Sequence, residues 1–297
     1  MESRPPLVYA HPMDKRIKDQ ITALLQRPLH RSTPLQGGCI AEVYQLELDQ
    51  GESVVAKVDT SSKPDLATEG DMLTFLDEHS QLPVPKVIHS SPELLVMQHL
   101  PGDSHFSNKA QAHAAELLAA LHAVHGESFG FHWDTRIGAL HQPNPQESSW
   151  CTFFREHRIR HMADAALQEG RMPRDLHRRL MQFCEKLDDL IEEPPAPSLI
   201  HGDVWTTNVL VQGNKITGFI DPAIYFAHPE IELAFTTLFG TFGDAFFQRY
   251  HEITPISAGF FDVRRDIYNL YPLLVHVRLF GAGYLGGIEK CIQRHGY

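Results

Sequence analysis

The chain has 297 residues, enough for one large domain or two lobes. Its 42% hydrophobic and 21% charged content is ordinary for a soluble globular protein. A formal net charge of -11 argues against nucleic acid as the main partner, because binding a phosphate backbone needs a basic face; a phosphate ligand stays open, since a pocket needs only a lysine and a metal ion.

Residues 1–13 are Pro-rich and unpatterned, an arm expected on the surface. From Asp14 to Leu25, Ile17, Ile21, Leu24 and Leu25 recur at helical spacing. Leu35 to Leu48 reads as strand, glycine-rich turn and strand, and the β-branched run Ser53 to Val58 as a further strand. A helix is expected from Asp65 to His79, with Leu66, Leu73 and Leu76 on its apolar side and Pro83 and Pro85 after it. Leu94 to Leu100 reads as another strand, closed by Pro101-Gly102. The pattern then turns helical: Ala110 to His125, Cys151 to Gln168 and Arg174 to Ile191. A proline-rich break, Glu192 to Pro197, leads to a β-rich stretch, Leu199 to Ile220, and helices resume from Glu230. The expected architecture is α+β, with a sheet-rich lobe over residues 1–100, a mostly helical lobe over 101–297 and a cleft between them.

The most informative segment is LIHGDVWTTNVLV (199–211), followed by ITGFIDPA (216–223). His201-Gly202-Asp203 precedes Asn208, and Asp221 ends a strand thirteen residues after Asn208. Phosphoryl transfer to an alcohol needs these groups. A carboxylate must orient the weakly nucleophilic hydroxyl and take its proton, and Asp203 is the candidate base. Mg²⁺ takes oxygen ligands, one or two from protein and the rest from phosphates and water, a role for Asn208 and Asp221. Taken singly, HGD is a turn and Asp221-Pro222 a strand-ending carboxylate. The whole set on a strand–loop–strand pattern is what points to chemistry.

The first lobe offers matching parts. Lys57, in Val54-Val55-Ala56-Lys57, stands where a strand lysine pairs with nucleotide phosphates, and Glu69 on the next helix is its expected ion-pair partner. Gly37-Gly38 would present backbone N–H groups to phosphates, although a Gly-Gly pair is also an ordinary hairpin turn. Met97-Gln98-His99-Leu100 leaves this lobe where a hinge belongs, with backbone groups of Gln98 and Leu100 available to adenine. Bound ATP and Mg²⁺ are the implied cofactors.

At this point the sequence resembles the fructosamine (ketosamine) 3-kinases, relatives of the aminoglycoside and choline kinases within the protein-kinase-like superfamily. The resemblance runs in order through GGCIAEVY (37–44), VVAKV (54–58), EGDML (69–73), MQHLPG (97–102), FGFHWDTRIGALHQPN (129–144), WCTFFREHRI (150–159), HGDVWTTNVL (201–210), IDPAIYFAHPEIELAFTTLFGTFGDAFFQRYH (220–251) and LYPLLVHVRLFGAGY (270–284). It implies a protein-kinase-like two-lobed fold and ATP-dependent phosphorylation of a ketosamine sugar at its 3-hydroxyl. The implied substrates are glycated amines, including glycated lysines on proteins, and the implied role is protein repair, because the 3-phosphate makes the adduct prone to break down. Carried over by motif, Asp203 is the base, Asn208 and Asp221 hold metal, and Lys57 with Glu69 positions phosphates. Trp205 takes the place of an aromatic packing against a sugar's C–H face, with a core tryptophan as the competing reading. His228 and Glu230 are candidate substrate contacts, and Glu232 a weaker one; each glutamate also suits a helix N-terminus. Ala41 stands where family members often carry Ser or Asn, which leaves phosphate contact at that turn to backbone amides.

Cys39, next to the glycines, is a candidate redox-sensitive thiol that would gate nucleotide binding or link two otherwise monomeric chains, or else a small turn residue. Cys151, Cys184 and Cys291 read as core. The nineteen histidines show no HExxH and no ligand spacing, and His201 reads as a brace for the catalytic loop. No apolar run of membrane-spanning or signal-peptide length occurs, so a reducing cytoplasm is expected. Two other functions share the motifs: a kinase of another small hydroxyl compound, such as an aminoglycoside or choline, and a catalytically silent nucleotide-binding module. A protein kinase is disfavoured, since DFG and APE are missing.

Overall fold

Alternation along one strand sets the architecture around Lys57. A computed structural model describes residues 13–35 and 41–297. The chain divides into two compact units, one of residues up to Asp71 together with Pro85–His99, the other of Met72–Val84 together with Leu100–Tyr297.

The first unit opens with helix α1 (Lys15–Leu25), whose N-cap Asp14 accepts from the Arg16 N–H at 2.8 Å. Strands β1 (Arg31–Pro34), β2 (Glu42–Glu47) and β3 (Ser53–Val58) follow, then helix α2 (Leu66–His79), counted in this unit as far as Asp71, and strands β4 (Val87–Ser90) and β5 (Leu94–Gln98). The strands form one antiparallel sheet in the order β1-β2-β3-β5-β4. On one face Val54, Ala56 and Val58 pack with Leu46, Leu94, Val96 and the buried stripe Ile17 and Ile21 of α1. Successive side chains point to opposite faces, so Lys57 is delivered to the other side. There α2 comes in close. A Cβ on Gly70 would stand 2.3 Å from Ser90 Oγ, so only glycine permits this approach, which brings the neighbouring Glu69 to β3.

The second unit is mostly helical. Helix α3 (Asn108–His122) is capped by Ser107, and a hairpin of β6 (Thr135–Ile137) and β7 (Leu140–Gln142) follows. Helices α4 (Trp150–Phe153) and α5 (His161–Gln168) are joined by a π-helical stretch, Phe154–Arg160, and α6 (Arg174–Cys184) comes after. The sequence pattern suggests one uniform helix from Cys151 to Gln168, but the turn widens where Arg158 is drawn inward. Its guanidinium lies 3.9 Å from the centre of the Tyr225 ring and donates to Asn144 Oδ1 at 2.6 Å.

The β-rich stretch resolves into two separate antiparallel ribbons. Strands β8 (Ser198–Ile200) and β11 (Tyr225–Ala227) form one, and β9 (Val209–Gln212) and β10 (Lys215–Phe219) the other. Helices α7 (Glu230–Leu238), α8 (Asp244–Ile253), α9 (Arg265–Tyr268), α10 (Leu270–Phe280) and α11 (Leu285–Arg294) complete the chain. Among the described residues, no helix is long and apolar enough to cross a membrane.

Candidate active site

Two tight turns, one leaving β8 and one entering β11, hold the candidate base. Tyr225 pairs with Ile200, and the Ala223 N–H donates to the His201 carbonyl at 2.8 Å, so the HGD and DPA segments are stitched side by side. Gly202 sits at φ +85, and a Cβ there would come within 2.1 Å of the Ala223 carbonyl oxygen. A larger residue would have to push the two segments apart.

The second ribbon delivers the other two groups. Phe219 pairs with Val209, and the Ile220 N–H donates to the Asn208 carbonyl at 3.0 Å, which sets Asn208 and Asp221 at the same end. Asp221 adopts a left-handed φ of 56, an uncommon conformation for a residue other than glycine and one that recurs at functional turns. Asn208 Nδ2 donates to Asp203 Oδ2 at 2.8 Å and to the Asp203 carbonyl at 3.0 Å. That orientation leaves the amide oxygen Oδ1 as the group able to face a hard cation.

Asp203 is half-buried, and its carboxyl is pushed up to about 8 by burial and then by the charge of Asp221, against the opposing hydrogen bond from Asn208. A cation beside Asp221 would lower the cost of ionising Asp203. Among the described residues, no three His, Cys, Asp or Glu side chains converge on one metal-sized point. Two protein oxygens, from Asn208 and Asp221, could hold a metal that takes its remaining ligands from phosphates and water.

The loop is gripped from behind. Glu232 on α7 accepts from the Gly202 N–H at 2.6 Å and from the His201 N–H at 3.3 Å, and His122 Nε2 lies 2.9 Å from the same carboxylate. Burial works to raise the Glu232 carboxyl, but the His122 hydrogen bond, with His201 and the backbone N–H groups, holds it below the usual range and ionised. Burial likewise keeps His201 neutral, and its Nδ1 accepts from the Asp203 N–H at 3.3 Å.

On the first unit, Lys57 Nζ lies 2.6 Å from Glu69 Oε1, and both side chains are largely buried. Met97 is buried within β5, and the Gln98 backbone N–H is spent on the Lys86 carbonyl at 2.9 Å, which leaves no backbone donor there for another ligand. Leu100 belongs to the second unit, its side chain over Gly218. Gly37, Gly38 and Cys39 lie outside the described residues.

The acceptor candidates separate by environment. Trp205 is half-buried, 5.9 Å from the exposed ring of Phe239, so its face is not enclosed in a core. Glu230, by contrast, is buried and spent: Arg264 Nε and Nη2 grip its two oxygens at 2.6 and 2.8 Å. His228 is lowered to about 3 by burial, then by the charges of Arg264 and His122; its Nδ1 accepts from the Glu230 N–H, leaving the proton on Nε2. Sequence reasoning did not find Arg264 or His122.

The sequence model of the fructosamine kinases matches residues 13–295. The chain belongs to the fructosamine kinase family. Among its relatives is a Vibrio parahaemolyticus protein named a probable ketoamine kinase, 32% identical over 92% of this chain and 95% of that one. Another is the chloroplastic protein-ribulosamine 3-kinase of Arabidopsis thaliana, 30% identical over 86% of this chain and 80% of its own length. This fructosamine kinase relative is therefore an enzyme that phosphorylates a hydroxyl group. A solved Thermobifida fusca structure bearing the name fructosamine-3-kinase superposes with a TM-score of 0.83 at 30% identity, covering 94% of this chain and 98% of the other. An aminoglycoside phosphotransferase solved with AMP-PNP and hygromycin B shares the fold at 17% identity, with a TM-score of 0.67 over 95% of this chain and 99% of that one. The fold is the α+β, protein-kinase-like one.

The buried pair carries a stability prediction. Arg264→Ala leaves the Glu230 carboxylate buried without its partner and should cost about 3–5 kcal/mol. Urea unfolding checks this, and parental stability would show that Glu230 is not held as described.

Proposed function

We propose that this enzyme transfers the γ-phosphoryl group of ATP to the 3-hydroxyl of ketosamines, fructosamine or ribulosamine adducts on small amines or proteins. The observation that carries the reading is the Asp203 carboxyl, hydrogen-bonded to Asn208 at 2.8 Å and raised by burial and then by Asp221, in a chain whose relatives are named ketoamine and ribulosamine kinases.

In this reading Asp203 orients the acceptor hydroxyl and takes its proton as the phosphoryl group departs. Asn208 Oδ1 and the Asp221 carboxylate would hold Mg²⁺. When bound, the metal offsets the negative charge gathered on the triphosphate. Lys57, fixed by Glu69, would bind nucleotide phosphate, and the backbone around Gly37 and Gly38 is proposed to cover it. Gln98 and Leu100, following Met97, would contact adenine, for Gln98 through its carbonyl. Trp205 would pack a flat face against the sugar's C–H bonds. His228, with its proton on Nε2, can donate to an acceptor oxygen, whereas Glu230 would act through its grip on Arg264. A 3-phosphate is a better leaving group than the hydroxyl it replaces, so the product would eliminate inorganic phosphate, and water would hydrolyse the resulting imine to free the amine, a deglycation in an ATP-supplied cytoplasm.

The test is Mg-ATP transfer against fructosamines, ribulosamines, aminoglycosides and choline. Turnover on ketosamines and loss of it on a 3-deoxy ketosamine are expected. Phosphorylation of the 3-deoxy compound at the parental rate would sink the 3-hydroxyl assignment. Trp205→Ala should raise the KM for the ketosamine about tenfold and leave that for ATP within about twofold, since a sugar-facing ring contributes roughly 1–2 kcal/mol. Initial-rate kinetics in both substrates decide it.

A further inference from the structure

We infer that His122, on α3, is a positioning residue for the catalytic loop, acting through Glu232; its catalytic consequence rests on the kinase reading above. His122 is 4% exposed and lies far from the loop in sequence. It interrupts an otherwise apolar stripe of Ala114, Ala115, Leu118, Ala119 and Leu121, a place where a polar ring needs a partner for each nitrogen. It has both. Nε2 lies 2.9 Å from Glu232 Oε2, and Nδ1 lies 2.7 Å from the buried Tyr250 hydroxyl on α8.

The direction of the Glu232 bond follows from its ends. Glu232 is ionised and only accepts, so Nε2 donates to it. Burial, with the nearby Glu232 and Glu230 charges, pushes the Tyr250 phenol up, so it keeps its proton and stays a neutral hydrogen-bond partner for Nδ1. The contacts run from the Tyr250 hydroxyl to His122 Nδ1, and from His122 Nε2–H to Glu232. Glu232 in turn receives the N–H groups of His201 and Gly202, at 3.3 and 2.6 Å, immediately before Asp203.

A carboxylate can turn about its last bond, and two backbone donors on one side do not stop it. The third donor does, holding Oε2 where it also meets the His201 N–H. Without it Glu232 is a buried anion with fewer partners, free to rotate toward another donor or take up a proton. Either outcome loosens the loop that aims Asp203, and a displacement near 1 Å at a reacting group costs about 10²-fold in rate.

Two substitutions separate positioning from packing. The side-chain nitrogen of glutamine reaches near the place of Nε2, and that of asparagine near Nδ1. His122→Asn should therefore lose the Glu232 donor, and kcat should fall roughly 10–100-fold with the KM for ATP within about threefold. His122→Gln keeps a donor for Glu232 and should stay within about threefold of the parent in kcat. Hydrogen exchange, which needs no acceptor, should speed by about tenfold or more at the His201 and Gly202 amides of His122→Asn while α3 and α8 stay protected. A failed ketosamine assignment would leave that exchange result standing. Matching behaviour of the two variants, both parental or both impaired in step with folded fraction, overturns the inference, as does unchanged exchange at the two amides in His122→Asn. Should His122→Asn not fold, Tyr250→Phe removes the hydroxyl that holds Nδ1, and faster exchange at Gly202 is expected; parental exchange there overturns the inference equally.

Discussion

Asp203→Asn is expected to lower kcat by roughly 10²–10⁴-fold while the affinity for Mg-ATP stays within about threefold. Asparagine has nearly the shape of aspartate, and its carbonyl can still accept from Asn208, so the loop keeps its form. What it cannot do is take a proton from the acceptor hydroxyl. Turnover and nucleotide affinity, measured separately, decide the matter, and parental turnover would remove Asp203 from the mechanism.

The same variant has a pH signature with a definite sign. In the folded, nucleotide-free protein Asp203 holds its proton up to about 8, because burial and the charge of Asp221 oppose ionisation. In the unfolded chain it ionises at the ordinary value, roughly 3.9. Between those two values the native state binds one more proton than the unfolded state. This group's contribution to stability is therefore complete at low pH, declines as pH rises through that window and levels off above it. Asp203→Asn is neutral throughout, so its melting temperature should climb relative to the parent from pH 5 to pH 8 and then hold a constant offset. A parent-minus-variant difference that does not change with pH would mean that Asp203 is not raised. A cation at Asp221 reverses the local charge, so saturating Mg-ATP should shrink the slope.

The distinction between what the chain announces and what it conceals is one of range. Lys57 and Glu69 are twelve residues apart, and Asp203 and Asn208 five, so residue type and spacing carry those pairs. The β-branched run announces β3, whose alternation turns Lys57 away from the α1 face. Strands of three residues, as in β6, β7, β8 and β11, are too short for alternation to register, and so the hairpin at 135–142 is silent in the pattern. The π-helical stretch is equally silent, since it exists to bury Arg158 beneath Tyr225, a partner supplied by a distant strand. Glu230 shows why a motif does not reveal contacts. Its place beside His228 suggests a ligand, but Arg264, 34 residues on, takes both its oxygens. His122 and Glu232, 110 residues apart, become partners only when the fold brings α3 to the start of α7. A polar ring within the apolar stripe of α3 was the one local sign.

Asp221→Ala should go further than Asp203→Asn and abolish the Mg²⁺ dependence of nucleotide binding. Asn208 alone offers one neutral oxygen, and a hard dication held by a single amide and solvent gains little over water. Turnover should fall by about 10³-fold or more, because stabilising the charge of the transferring group is the largest contribution to this chemistry. Two side effects follow from the geometry. The substituted residue inherits the left-handed φ of 56, which alanine adopts less readily than asparagine, so Asp221→Asn is the control that keeps the turn and removes the charge. Loss of the Asp221 charge also relieves Asp203, whose protonation should retreat toward the ordinary carboxylate range in both variants. Titration calorimetry with ATP, with Mg²⁺ and then with excess chelator, gives the decisive comparison. The parent should bind more tightly with the metal, and the two variants equally with or without it. A metal-dependent affinity that survives in Asp221→Asn would place the cation on other ligands, and with it the transferring phosphate.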